Sequence, residues 1–99
     1  GTVPSTLGVL TQLSHLLLYN NTLTGTIPSE IGMLTELVAL GLSENKLTGK
    51  IPSDTGMLTA LTFLSLYGNE FTGKVPSQLL VLSNGLSIGL HDSFQQDDP

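Results

Sequence analysis

A cut every twenty-four residues divides the chain into four lines that align without a gap: GTVPSTLGVLTQLSHLLLYNNTLT, GTIPSEIGMLTELVALGLSENKLT, GKIPSDTGMLTALTFLSLYGNEFT and GKVPSQLLVLSNGLSIGLHDSFQQ. Gly1, Gly25, Gly49 and Gly73 fall in register, as do Pro4, Pro28, Pro52 and Pro76, and Leu10, Leu34, Leu58 and Leu82. A chain that returns to the same residues at a fixed period repeats one supersecondary unit. Each such unit buries its apolar face only against its neighbours. The units therefore stack into a solenoid with units at residues 1–24, 25–48, 49–72 and 73–96, and residues 97–99 are left as an acidic tail.

Within a unit, Leu40 and Leu42 of the second line and Leu64 and Leu66 of the third are separated by one residue. That is the period of a strand whose intervening side chains point away from the core. Successive strands run the same way and must be parallel, stacked about 4.8 Å apart. Asn21, Asn45 and Asn69 close the strand segment in three units. A side-chain amide there carries donors and an acceptor for backbone groups of its own coil and the next, which predicts an asparagine ladder. The following Thr-Gly and Ile-Pro or Val-Pro pairs turn the chain and fix φ. SEIGML and SDTGML are too short and Gly-interrupted for a full α-helix, so each is expected to form a 3₁₀ turn or short helix.

These residues resemble the plant-type leucine-rich repeat, LxxLxLxxNxLTGxIPxxLGxL. The segment LVALGLSENKLTGKIPSDTGML follows it with one clear departure, Thr55 in place of an apolar residue. The resemblance implies an α/β repeat solenoid: a right-handed superhelix of about four coils with a parallel sheet on the concave face and short 3₁₀ or helical turns on the convex face. It also implies a second short strand at TGxIP. Plant-type units of this kind occur in receptor-kinase ectodomains and in inhibitors of cell-wall-degrading enzymes. The resemblance therefore implies a receptor-like or scaffold role, placed outside the cell or in a secretory lumen. The fourth unit departs from the pattern, with Gly85 in place of leucine, Ser93 at the ladder position and Gln95 at a core position. The cysteine-bearing N-terminal cap that secreted members often carry is missing, so the chain is expected to be a segment of a longer protein.

Composition narrows the partners. Three basic residues against eight acidic ones give a net charge of −5, the wrong sign for gripping a phosphate backbone, so nucleic acid is not expected. No run approaches eighteen apolar residues and GTVPSTLG has no signal-peptide character, so no membrane insertion by this segment is expected. With 39% hydrophobic and 11% charged residues the chain is expected to pack. Zero cysteines exclude disulfides and thiolate metal sites.

Catalysis is not expected either. His15 and His91 stand three coils apart, about 14 Å by strand spacing, too far to share a metal or a proton. No serine or cysteine nucleophile is fixed beside His91 and Asp92, and no GxxxxGK[ST] cradle is present. Neither a cofactor nor a metal site is implied.

The outward strand positions remain as the candidate ligand surface: His15, Leu17, Tyr19 and Asn20; Ala39, Gly41, Ser43 and Glu44; Phe63, Ser65, Tyr67 and Gly68; Ser87, Gly89, His91 and Asp92. Ala39, Gly41 and Ser43 read as a floor of small residues between taller walls. Tyr19 and Tyr67 sit two coils apart, about 10 Å, room for one extended peptide or one sugar ring. Glu44 and Asp92 at the rim favour a cationic group. The expected function is a non-catalytic interaction module that binds a protein or peptide on this sheet, with a carbohydrate as a further candidate ligand. The alternative is a structural subunit packed permanently in a larger assembly. Asn20 opens the triplet Asn20-Asn21-Thr22, a glycosylation acceptor if the chain is secreted.

Overall fold

The computed structural model describes residues 1–80 and 87–89. His91 and Asp92, Gly85, Ser93 and Gln95, and the acidic tail at 97–99 lie outside the described residues. The main sheet holds four strands, β1 (His15–Leu17), β2 (Ala39–Gly41), β4 (Phe63–Ser65) and β6 (Ser87–Gly89), in the order β1-β2-β4-β6. All are parallel, and each residue pairs with its counterpart twenty-four positions on: Leu16 with Leu40, Leu40 with Leu64, Leu64 with Ile88.

A smaller two-stranded sheet joins β3 (Thr48–Gly49) to β5 (Glu70–Phe71). Here Thr48 faces Glu70 and Gly49 faces Phe71, a register of twenty-two residues. The second strand thus starts at Thr-Gly in one coil and two positions earlier in the next. It does not run through Ile-Pro, because proline has no N–H to give a ladder.

On the opposite side, 3₁₀ turns span Ser5–Val9, Ser29–Met33 and Ser53–Met57, and α1 covers Ser77–Leu80. Each 3₁₀ turn follows a proline in extended geometry, as at Pro28 (φ −72°, ψ 147°). Each is closed by bonds three residues long: Ile31 N–H to Pro28 O at 3.0 Å and Leu34 N–H to Ile31 O at 3.1 Å. Gly32 keeps the turns closely stacked, since a Cβ there would lie 2.7 Å from the Asp54 carbonyl oxygen. Thr55, the departure from the apolar pattern, is buried, and its hydroxyl donates to Pro52 O at 2.8 Å. The 3₁₀ turn itself provides the acceptor, so a β-branched residue of suitable size sits in the core without an orphaned hydroxyl.

Between the two faces runs one apolar core in which Leu34, Leu37, Leu40, Leu42 and Leu47 are layered on Leu58, Leu61, Leu64, Leu66 and Phe71. Leu10 is 52% exposed, while its counterparts Leu34 and Leu58 are fully buried.

Candidate concave binding face

The strand geometry sorts the outward positions into tall and short. Leu17 is 49% exposed, Phe63 36% and Tyr67 40%, three large apolar groups standing on one face of a rigid sheet. His15 is also exposed, its Nδ1 2.9 Å from Ser14 Oγ, while Tyr19 is half-buried. Glu44 is exposed at the rim.

The floor between these walls is closed. Ala39, Gly41, Ser43 and Ser65 are all buried, so the open trough expected between Tyr19 and Tyr67 is not formed. The reason lies in two lengths: strands stand about 4.8 Å apart, whereas a tyrosine side chain reaches farther than that. Tyr19 leans sideways into the space that Gly41 leaves free. A Cβ on Gly41 would lie 2.5 Å from Tyr19 Cζ and 2.7 Å from its hydroxyl oxygen. The ring thus covers Gly41 in the second coil. Ser43 and Ser65 are covered positions, and the contact surface is carried by Leu17, Phe63 and Tyr67 with His15 and Glu44.

Burial leaves the Ser43 hydroxyl in an unusual position. It is the one buried side-chain polar atom among the described residues without a hydrogen-bond partner. A buried unpaired hydroxyl costs about 1–3 kcal/mol, while an alanine of nearly the same shape carries no such penalty. Ser43→Ala is therefore expected to raise the unfolding free energy by about 1 kcal/mol, measured as an upward shift of the urea midpoint at unchanged slope.

Just beyond each strand the chain turns, and the asparagines lie on the inner side of that turn. Asn45 Nδ2 donates to Leu18 O, Leu42 O and Ser43 O at 2.9, 3.0 and 3.2 Å. Its Oδ1 accepts from the N–H groups of Asn21 and Leu23, both at 3.1 Å. Asn69 repeats the pattern one coil on, donating to Leu42 O and Leu66 O and accepting from Leu47 N–H. The Asn21 side chain makes the same bonds within its own coil, donating from Nδ2 to Leu18 O and Tyr19 O. It is turned to the inner side of the turn like Asn45, but the residue is exposed.

Asn20 and Glu44, one coil apart, both take left-handed geometry, with φ of 56° and 62°. Gly68 follows at φ 76°, and a side chain there would press on the Glu44 backbone at 3.0 Å. This repeated turn holds the rim of the face in place and leaves Asn20 exposed. Sequence reading missed the closing of the floor. The signal for it was Gly41, a residue without a side chain opposite a tall neighbour.

A family model described as Leucine Rich Repeat matches residues 12–34, 36–58 and 60–82. Among solved structures, the chain is similar to the ectodomain of the plant membrane receptor kinase GASSHO1/SCHENGEN3 from Arabidopsis thaliana in complex with CASPARIAN STRIP INTEGRITY FACTOR 2. That match has 38% identity and a TM-score of 0.85, and covers 90% of this chain and 11% of that one. It is similar to the plant peptide hormone receptor RGFR1 in complex with RGF2, at 36% identity and a TM-score of 0.87 over 95% of this chain and 15% of the other. It also resembles a chain of the BIR3–SERK2 complex from Arabidopsis thaliana, at 40% identity and a TM-score of 0.80, covering 89% of this chain and 47% of that one. The chain therefore spans less than half the length of each. No curated protein sequence matches it.

Proposed function

The chain belongs to the leucine-rich repeat family, and from that premise we propose that it is a non-catalytic interaction module that binds a peptide or protein segment on its concave sheet. The observation that carries this reading is the row of exposed Leu17, Phe63 and Tyr67 on one face of a sheet whose short residues are already covered. Large apolar and aromatic groups held on a rigid strand face lose little freedom on binding and commonly anchor interfaces. With Gly41 covered by Tyr19 and Ala39, Ser43 and Ser65 buried, a ligand lies across the tops of these side chains and does not enter a slot between them.

Two of the similar structures are receptors caught with a peptide hormone or an integrity factor. That supports a polypeptide ligand over a carbohydrate, and a binding role over permanent packing in an assembly. The same similarity supports placement outside the cell, where Asn20, exposed at the turn, is available to glycosylation.

Selection of dodecapeptides from a random phage library on the full chain tests the reading. Selected peptides are expected to bind at least tenfold more weakly to a Phe63→Ala, Tyr67→Ala double variant, and as before to Met33→Ala on the convex side. Peptides that ignore the concave pair and respond to Met33→Ala would overturn it.

A further inference from the structure

Away from the concave sheet, the coils carry a groove that no proposed role uses. It is open, with a volume of about 610 Å³, and lies between two equivalent stretches of neighbouring coils. Lys50, Pro52 and Ser53 form one wall, and Lys74, Pro76 and Gln78 the other. Among the described residues no carboxylate lines it, although the chain as a whole carries eight acidic residues against three basic ones. Two of those three cations are here.

Their placement follows from the repeat. In the first two coils the residue after the turn glycine is Thr2 or Thr26, whose methyl group lies over the glycine of the next coil. In the third coil that residue is Lys50, and its stem takes the same path. Lys50 Cγ, Cδ and Cε lie 3.2, 3.5 and 3.5 Å from where a Cβ on Gly73 would stand. The stem is therefore laid across the neighbouring coil, and its ammonium is carried toward the coil that bears Lys74. Two like charges one coil apart repel each other and attract an anion. The prolines in the two walls have no N–H, so they offer apolar ring surface and not hydrogen-bond donors.

We infer that this lateral groove binds an extended acidic peptide segment, with its carboxylates on Lys50 and Lys74 and a neighbouring apolar side chain on Pro52 and Pro76. A free inorganic anion meets only the solvated ammonium groups, which hold it weakly, whereas a peptide uses charge and ring surface together. A polyanion has too few cations to follow along the solenoid. Ser53 and Gln78, which also line the groove, offer a hydroxyl and an amide to the peptide backbone.

The test is a titration of the isotope-labelled full chain, followed by backbone amide shifts, with a hexapeptide of alternating aspartate and leucine. Saturable shifts are expected at Lys50, Ser53, Lys74 and Gln78, weakening as salt is added. A Lys50→Met, Lys74→Met variant keeps the aliphatic stems over the coil and removes the charges. It is expected to bind at least tenfold more weakly while keeping its unfolding midpoint. The hexapeptide with lysine for aspartate is expected to leave these amides unmoved. The inference is overturned if inorganic phosphate saturates the same amides as tightly as the acidic peptide, which marks a bare anion site. It is also overturned if the shifts centre on Leu17, Phe63 and Tyr67, or if the methionine variant binds as the parent does.

Discussion

Phe71→Ala lowers the stability of this chain by about 4 kcal/mol, the range for deleting a buried aromatic ring. Phe71 is the largest of the fully buried side chains among the described residues and ends the strand that pairs with Gly49. Leu47 occupies the equivalent place one coil earlier and is equally buried. The solenoid therefore holds a leucine at this position without distortion, so Phe71→Leu is expected to cost less than about 1.5 kcal/mol, as volume-related apolar exchanges do. Urea unfolding followed by circular dichroism measures both. A protein of this size has a slope of roughly 1–3 kcal/mol per molar urea, so the alanine variant moves the midpoint by more than about 1 M or is unfolded from the start. The leucine variant stays folded and reports the position in either case. Near-parental midpoints for the alanine variant would show that the ring is not part of the core.

Asn45→Ala is the second large loss, about 3 kcal/mol, because one amide serves five backbone groups across two coils. Removing it strands the N–H groups of Asn21 and Leu23, while the three carbonyls lose one donor and keep another, Leu18 O from Asn21, Leu42 O from Asn69 and Ser43 O from the Asn20 N–H. Alanine repairs none of these. Asn20→Ala loses only an exposed side chain, but φ there is 56°, and left-handed geometry penalises alanine by about 1 kcal/mol. The expected order is a large loss at Asn45, a small one at Asn20, and little or none for Asn20→Gly. Amide hydrogen exchange gives a local check: in the Asn45 variant, protection is expected to fall first at Leu23 and Asn21. Equal midpoints for Asn45→Ala and Asn20→Ala would reject the ladder as the link between coils.

The sequence by itself determined the solenoid: a twenty-four-residue period admits little else. Parallel strands followed from the common direction of the units, and the inward rows of Leu40 and Leu42 or Leu64 and Leu66 followed from a period of two. The inner position of Asn45 and Asn69 was legible because a sharp turn with buried backbone needs an amide. All of these are properties of one unit multiplied, and local chemistry suffices for them.

The tertiary structure alone decided what happens between units. Whether the small residues of the second coil form an open floor depends on how far a tyrosine on the first coil reaches sideways. Gly41 left the space, Tyr19 filled it, and Ser43 was buried with its hydroxyl unpaired. Asn21 makes the same bonds within its turn as Asn45 but is exposed where Asn45 is buried. The twenty-two-residue register of β3 and β5, the Thr55 hydroxyl on Pro52, and the Lys50 stem across Gly73 are likewise contacts made across a turn or between coils. A repeat fixes which residues stand side by side at about 4.8 Å. Which of two neighbours leans over the other is set by side-chain length, rotamer and the room a glycine leaves, and those are settled only when the coils are stacked.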